Sequence, residues 1–250
     1  MGERLLLAAD SGELLLYYQP QIDLRSGAVV GAEALMRWEH PDRGLLLPIE
    51  FLPQVLNSAV MHRLTQWVIE SAIDRQLVWR KEGLCGRVAV NVSPATIHNT
   101  SFPDWLARTL ESRRLPASEL TIEITEDAYL GHPLLTAHVL GRLAELGVRI
   151  SIDDFGAGYS SLVYLRDFPI SELKIDHSFV SVATRCTRSQ RIIRALVDLA
   201  GELGIDSLAE GVEDKATRDL MLNLGCPTAQ GFYLAVPVPA GEAAQIFATS

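Results

Sequence analysis

Cysteine is scarce in this chain: Cys85, Cys186 and Cys226 are three in 250 residues, with no CxxC pair. An odd, widely spaced set supports neither a disulfide framework nor a zinc knuckle, and it fits a reducing cytoplasm. Long apolar runs are missing too. Leu5-Leu6-Leu7-Ala8-Ala9 is too short for the apolar core of a signal peptide, and no run approaches the roughly 18 residues of a membrane span, so no membrane insertion is expected. Basic charge falls short, with 22 Lys and Arg against 31 Asp and Glu and a formal net charge of −9. Bulk binding to a nucleic-acid polymer or an anionic membrane needs the opposite sign. The six histidines, His40, His62, His98, His132, His138 and His177, form no HExxH and no adjacent His-Asp pair. Each reads as a surface or satisfied core residue, and a histidine metal site is not supported.

No low-complexity stretch or Pro/Ser/Gly-rich linker interrupts the chain, and 48% of it is hydrophobic. It therefore reads as one well-packed body, a single domain over residues 1–250, about the length of one (β/α) barrel. Apolar, β-rich runs at 14–19, 29–38, 87–92, 120–125, 148–153, 172–175, 206–210 and 229–232 predict strands. Segments of helical period at 48–56, 62–80, 102–112, 133–146, 160–167, 187–203, 215–224 and 240–247 predict helices. Gly147, Gly204 and Gly225 each follow a Leu where a left-handed cap would close a helix. Strand–helix alternation implies a mostly parallel sheet, and about eight units suit a closed barrel. Only residues 22–27 separate the first two strands, too few for a crossover helix, so these should pair as a hairpin. The fold class expected is α/β, a modified (β/α)8 TIM-like barrel with one antiparallel strand.

The expected C-terminal strand ends carry Glu33, Asn91, Glu123, Asp153-Asp154, Lys174, Glu210 and Gln230. In such a barrel these ends share one face, where active sites are built. A single Glu near a strand end is more often a surface charge or a helix cap; acidic residues from four strands, joined by an amide and a lysine, argue for convergence. Two adjacent carboxylates are costly to hold unless one is protonated or a cation lies between them. Carboxylate and amide oxygens suit Mg2+ or Mn2+ rather than zinc. The loop Phe155-Gly156-Ala157-Gly158-Tyr159-Ser160-Ser161 lacks the Lys-Ser/Thr ending of a phosphate loop, and Ser160 or Ser161 reads as the cap of the next helix.

Together, Glu33-Ala34-Leu35, Asn91-Val92-Ser93, Glu123-Ile124-Thr125-Glu126, the Asp153–Ser161 segment, Lys174-Ile175-Asp176, Glu210-Gly211-Val212-Glu213 and Gln230-Gly231-Phe232 resemble the EAL-domain cyclic-di-GMP phosphodiesterases. Tyr17-Tyr18-Gln19-Pro20-Gln21 and Arg37-Trp38 agree. The resemblance implies hydrolysis of cyclic-di-GMP to linear pGpG with two Mg2+ or Mn2+. On the matching positions, Glu33, Asn91, Glu123 and Asp153 hold one metal, while Asp153, Asp154 and water hold the second. Lys174 and Glu210 orient and deprotonate the attacking water, and Gln230 supports a water or ligand nearby. Glu126 anchors the glycine loop, Gln19, Arg37 and Glu213 serve the substrate, and a homodimer forms through the loop after Asp154. Upstream sensor or cyclase domains are usual in the family, so the chain is either a stand-alone protein or an excised fragment. Ala157, His177, Val55-Leu56-Asn57 and Ala235-Val236 depart from the family pattern; His177, where Arg is common, matches no ligand position. Rival readings are a non-catalytic cyclic-di-GMP receptor on the same fold and a metal-dependent barrel lyase or isomerase.

Overall fold

The computed structural model describes residues 2–55, 59–84, 86–125, 128, 132–156 and 162–249. Among these described residues ten strands form one sheet: β1 (Leu14–Asp23), β2 (Val29–His40), β3 (Gly44–Leu46), β4 (Arg87–Asn91), β5 (Leu120–Thr125), β6 (Arg149–Phe155), β7 (Glu172–Ile175), β8 (Asp206–Ala209), β9 (Thr228–Ala229) and β10 (Val238–Pro239). The expected hairpin is present. β1 runs antiparallel to β2 from Leu14↔Trp38 to Ile22↔Val29, and its turn is held by the Asp23 carboxylate, which accepts from the backbone of Arg25 and Ser26.

From β2 the sheet continues in parallel through β4, β5, β6, β7, β8 and β9. It closes where β9 pairs antiparallel with β1, at Ile22↔Ala229 and Asp23↔Thr228. The result is the eight-stranded α/β barrel expected, with β1 as its one antiparallel member. β3 folds back on the upper end of β2, and β10 lies along the outer edge of β1. Neither short strand is legible as a strand in the sequence.

Helices between the strands form the outer wall, the longest being Ala59–Lys81 and Thr187–Leu203. Gly147, Gly204 and Gly225 take the positive φ expected of helix stops, at 88°, 68° and 91°. One helix expectation changes in kind. The segment at 48–56 is one α-turn, Pro48–Phe51, followed by a 3-10 turn, Leu52–Gln54, because Pro53 withholds the amide a continuing helix needs. The helix expected from 160 is described from Leu162 to Asp167, while Ser160 and Ser161, the expected caps, lie outside the described residues. A helix at Gly2–Asp10, not predicted from the sequence, packs Leu5 and Ala8 into the core.

Side chains alternate across each strand, and the two faces of this barrel differ in chemistry. Ile122, Ile124, Ile150, Ile152, Leu173 and Ile175 point outward and are fully buried beneath the helices. Each contributes about 1.5–3 kcal/mol by leaving water. The inward positions are small or polar: Ala89, Thr121, Ser151 and Glu172 fill the lower lumen, with Ser151 Oγ donating to Glu172 at 2.9 Å. Two residues further along each strand, the same inward alternation delivers Asn91, Glu123, Asp153 and Lys174 to the rim.

Candidate active site

Lys174 is the centre of the rim. Its side chain is 0% exposed, and its Nζ lies 2.8 Å from Glu210, 3.0 Å from Asp153, 3.1 Å from Glu123 and 3.3 Å from Glu33. The pairings Glu33↔Ala89, Asn91↔Glu123 and Glu123↔Ser151 bring these side chains to one level across the lumen. Around this centre, Asn91 Nδ2 donates to Glu33 Oε1 at 2.6 Å. Gln230 Nε2 donates to both Glu33 and Glu210, at 2.8 and 2.9 Å. The side-chain amide nitrogen of Asn91 is therefore spent inside the site, leaving its carbonyl oxygen as the free end.

Asp153 and Asp154 reach the rim together through a local break in the strand. Neighbouring residues of a regular strand point to opposite faces. Here the pairing of β6 with β7 shifts between Ile152 and Phe155, and Asp154 adopts φ 53°, a left-handed conformation in a non-glycine residue. Aspartate tolerates that region better than most residues, and such backbone outliers concentrate at functional sites. Carboxylate oxygens of Asp153, Asp154 and Glu210 then fall within 4.8 Å of one another, a grouping able to hold a metal ion.

Four carboxylates converge on the Lys174 ammonium with Asp154 beside them, and the imbalance shows in Glu123, Glu210, Asp154 and Glu33. Burial, reinforced by Glu33, pushes the Glu123 carboxyl well above its usual range, and burial lifts Glu210 to about 8 even beside Lys174. Burial and the Asp153 charge lift Asp154 to about 6. Glu33 goes the other way: although burial opposes it, Lys174, Gln230 and Asn91 hold its carboxyl below the usual value. Burial opposes the charge of Lys174, but Asp153, Glu123, Glu210 and Glu33 raise it well above an ordinary lysine. Glu123 Oε1 is buried without a hydrogen-bond partner among the described residues. An orphaned carboxylate oxygen among raised carboxyls is what a divalent cation would satisfy, and oxygen donors of this kind fit Mg2+ or Mn2+.

A pH dependence follows for the metal-free protein. A carboxyl with a folded-state pKa above its unfolded value contributes stability at low pH and loses it as pH rises through the folded pKa. Between pH 6.5 and 8.5 the Glu210 value of about 8 governs, so stability is expected to fall by about 2 kcal/mol, or about 5 °C in Tm. Mg2+ should reverse the trend, because cation binding displaces those protons. Thermal melts across this range, with chelator and with Mg2+, check both signs; flat curves would contradict the assignment.

The remaining expected residues divide. Gln19 Nε2 donates to the Ala235 carbonyl at 3.2 Å, so Ala235 is used through its main chain and its departure from the family pattern leaves this contact intact. Arg37 lies beside the Tyr17 ring, 5.4 Å from its centroid, and donates to Met36 O. Glu213 stands at the edge of a cavity of about 320 Å³ lined also by Gln19, His177, Glu210 and Gln230. Glu126 and residues 157–161 of the glycine loop lie outside the described residues. Gln21, missed in the sequence reading, donates to Gln230 Oε1 at 3.4 Å and steadies it. Its signal was present, since Gln19 and Gln21 share one face of β1.

Fold and site together define a barrel protein with an acidic rim, able to hold a cation, at the C-terminal ends of its strands. The chain belongs to the EAL domain family, whose model matches residues 3–237. It is similar to the bifunctional diguanylate cyclase/cyclic di-GMP phosphodiesterase MucR of Pseudomonas aeruginosa, with 37% identity over 94% of this chain and 34% of that protein. It is 37% identical to the cyclic di-GMP phosphodiesterase PA2567 of the same organism, over 89% of this chain and 38% of the relative. The chain thus spans about a third of the length of these relatives. Among solved structures, the PaMucR phosphodiesterase in complex with c-di-GMP superposes with a TM-score of 0.91 at 36% identity, covering 96% of this chain and 98% of that one. The FimX EAL domain of P. aeruginosa bound to c-di-GMP gives 0.85 at 25% identity, covering 94% of each.

Proposed function

We propose that the protein is a phosphodiesterase that hydrolyses cyclic di-GMP to linear pGpG using two divalent cations, Mg2+ or Mn2+. The observation that carries this reading is the Lys174-centred cluster, in which one buried ammonium meets Glu33, Glu123, Asp153 and Glu210. Glu33, Asn91, Glu123 and Asp153 would hold one cation and Asp153 and Asp154 the other; bound there, the pair neutralises the phosphodiester and acidifies a water.

The chain's own residues do the rest. Glu210 presents an Oε1 aimed by Lys174 and Gln230, and cation binding would displace its proton and leave it a free carboxylate. It is suited to take the proton of the attacking water as the new P–O bond forms and the 3′-oxygen leaves. Lys174 keeps positive charge beside the negative charge that develops at phosphorus. Gln19, Arg37 and Glu213 hold the dinucleotide, and Glu126 anchors the glycine loop. Two further parts of the reading are a homodimer formed through the loop after Asp154 and a cytoplasmic location. The scattered cysteines favour that location, and among the described residues no helix is long and apolar enough to cross a membrane.

Purified protein incubated with cyclic di-GMP and Mg2+ or Mn2+ is expected to release pGpG, resolved by chromatography, and to stop on addition of chelator. Tight binding without turnover under either metal would make the protein a receptor instead.

A further inference from the structure

We propose that His177 is a specificity-determining residue of this site. Its imidazole donates to the acceptor edge of a guanine, while Glu213 accepts from the base's N–H donors. This inference rests on the proposed hydrolysis of cyclic di-GMP.

Four observations carry it. First, His177 is placed deliberately. The Asp176 side chain caps the short helix His177–Val180, accepting from Ser178 N at 3.0 Å, and so fixes the backbone that presents the ring. Second, the ring lies over Gly211, which has φ 72°; a Cβ there would come within 2.1 Å of His177 Cδ2, so only glycine leaves room for it. Third, His177 Nε2 is 3.6 Å from Glu213 Oε1, near enough for attraction yet too far for a hydrogen bond. A donor and an acceptor therefore stand side by side with capacity to spare. Fourth, both line the cavity of about 320 Å³ beside Glu210, where Phe232, 66% exposed, offers an aromatic face.

Of the other side-chain donors described at that cavity, Gln230 spends both amide N–H groups on Glu33 and Glu210, while Gln19 spends one on the Ala235 carbonyl and keeps one. Lys174 is enclosed by its four carboxylates. Among the described residues of the cavity, His177 is the side-chain donor that stands next to an open acceptor, Glu213. Guanine presents acceptors at O6 and N7 with a donor at N2, whereas adenine places a donor at its 6-position. With its donor facing the 6-position, a His–Glu pair matches guanine O6 and the neighbouring N–H donors, and in that same orientation it meets the 6-amino group of adenine donor to donor.

The test compares wild type, His177→Ala and His177→Gln on cyclic di-GMP, cyclic di-AMP and bis(p-nitrophenyl) phosphate, a diester without a base. For His177→Ala, KM for cyclic di-GMP is expected to rise about tenfold, what one hydrogen bond is worth. kcat should change less than twofold, and the preference for guanine over adenine should narrow by a similar factor. The base-free diester should be cleaved with kcat/KM within about twofold of wild type, and His177→Gln, which keeps a donor, should recover most of the loss. An unchanged KM in His177→Ala, or an equal loss on the base-free diester, overturns this inference alone. A wild-type protein inert toward cyclic di-GMP overturns the hydrolase reading and this one with it.

Discussion

Asp153→Asn is expected to lower kcat/KM for cyclic di-GMP by about a thousandfold or more, roughly 4 kcal/mol of transition-state stabilisation. Asp153 lies 3.0 Å from Lys174 and belongs to the only grouping of metal-capable carboxylates found among the described residues. It would serve both cations, so an amide in its place removes charge from two sites at once. The substitution spares the fold, because Asn keeps an oxygen to accept from the Asp154 amide, now 3.1 Å from Asp153 Oδ1. The metal-free variant should even melt slightly higher than wild type, since one of five crowded negative charges is gone. Kinetics over a range of Mn2+ concentrations, with melts in chelator, test both halves. Full activity with unchanged metal dependence would rule out the bridging role.

Lys174→Met should have the largest effect on stability. Methionine matches the length of the lysine stem but leaves Glu33, Glu123, Asp153 and Glu210 without their buried counter-ion. Removing one partner of a buried ionic cluster costs about 3–5 kcal/mol. In a protein of this size that is about 10 °C of Tm. The sign with pH is fixed by the carboxylates: stranded together, they regain stability by binding protons, so the loss should be larger at pH 8 than at pH 5.5. Mg2+ should restore part of it. Turnover should fall as well, by about a hundredfold, through the lost charge beside the reacting phosphorus. Melts in chelator at the two pH values decide the matter; a variant as stable as wild type at pH 8 would show that Lys174 does not hold the cluster together.

Much of this could be read in the chain before the structure. The hairpin followed from six residues between two strands, and the parallel barrel from the alternation of periods. The rim followed from polar residues placed at strand ends. Each is a local signal with one geometric consequence. What escaped is set by contacts distant in sequence. β10 is two residues long and exists because β1 offers Tyr17 and Tyr18 an open edge. Gln21 matters only because Gln230, far along the chain, comes back beside it. His177 was set aside because no motif position claimed it; its place over Gly211 and beside Glu213 depends on β7 and β8 lying next to each other. The pairing of Asp153 with Asp154 was legible as a motif, whereas the left-handed turn that aims both was not.

The antiparallel β1 has a consequence for how the site comes into being. It joins the opening hairpin to β9 and β10, through Ile22↔Ala229 and Tyr17↔Pro239. Pairings so remote in sequence are slow to form, because the chain between them must be ordered first. During synthesis, β2 and β4 to β8 can emerge and stack as an open sheet while β9 is still unmade, exposing an unpaired edge on which neighbours could aggregate. Glu33 comes from β2 and Gln230 from just beyond β9, and they meet at 2.8 Å only once β1 has sealed the seam. An open sheet lacks that contact, so the acidic rim is complete only once the strands that close the barrel have paired.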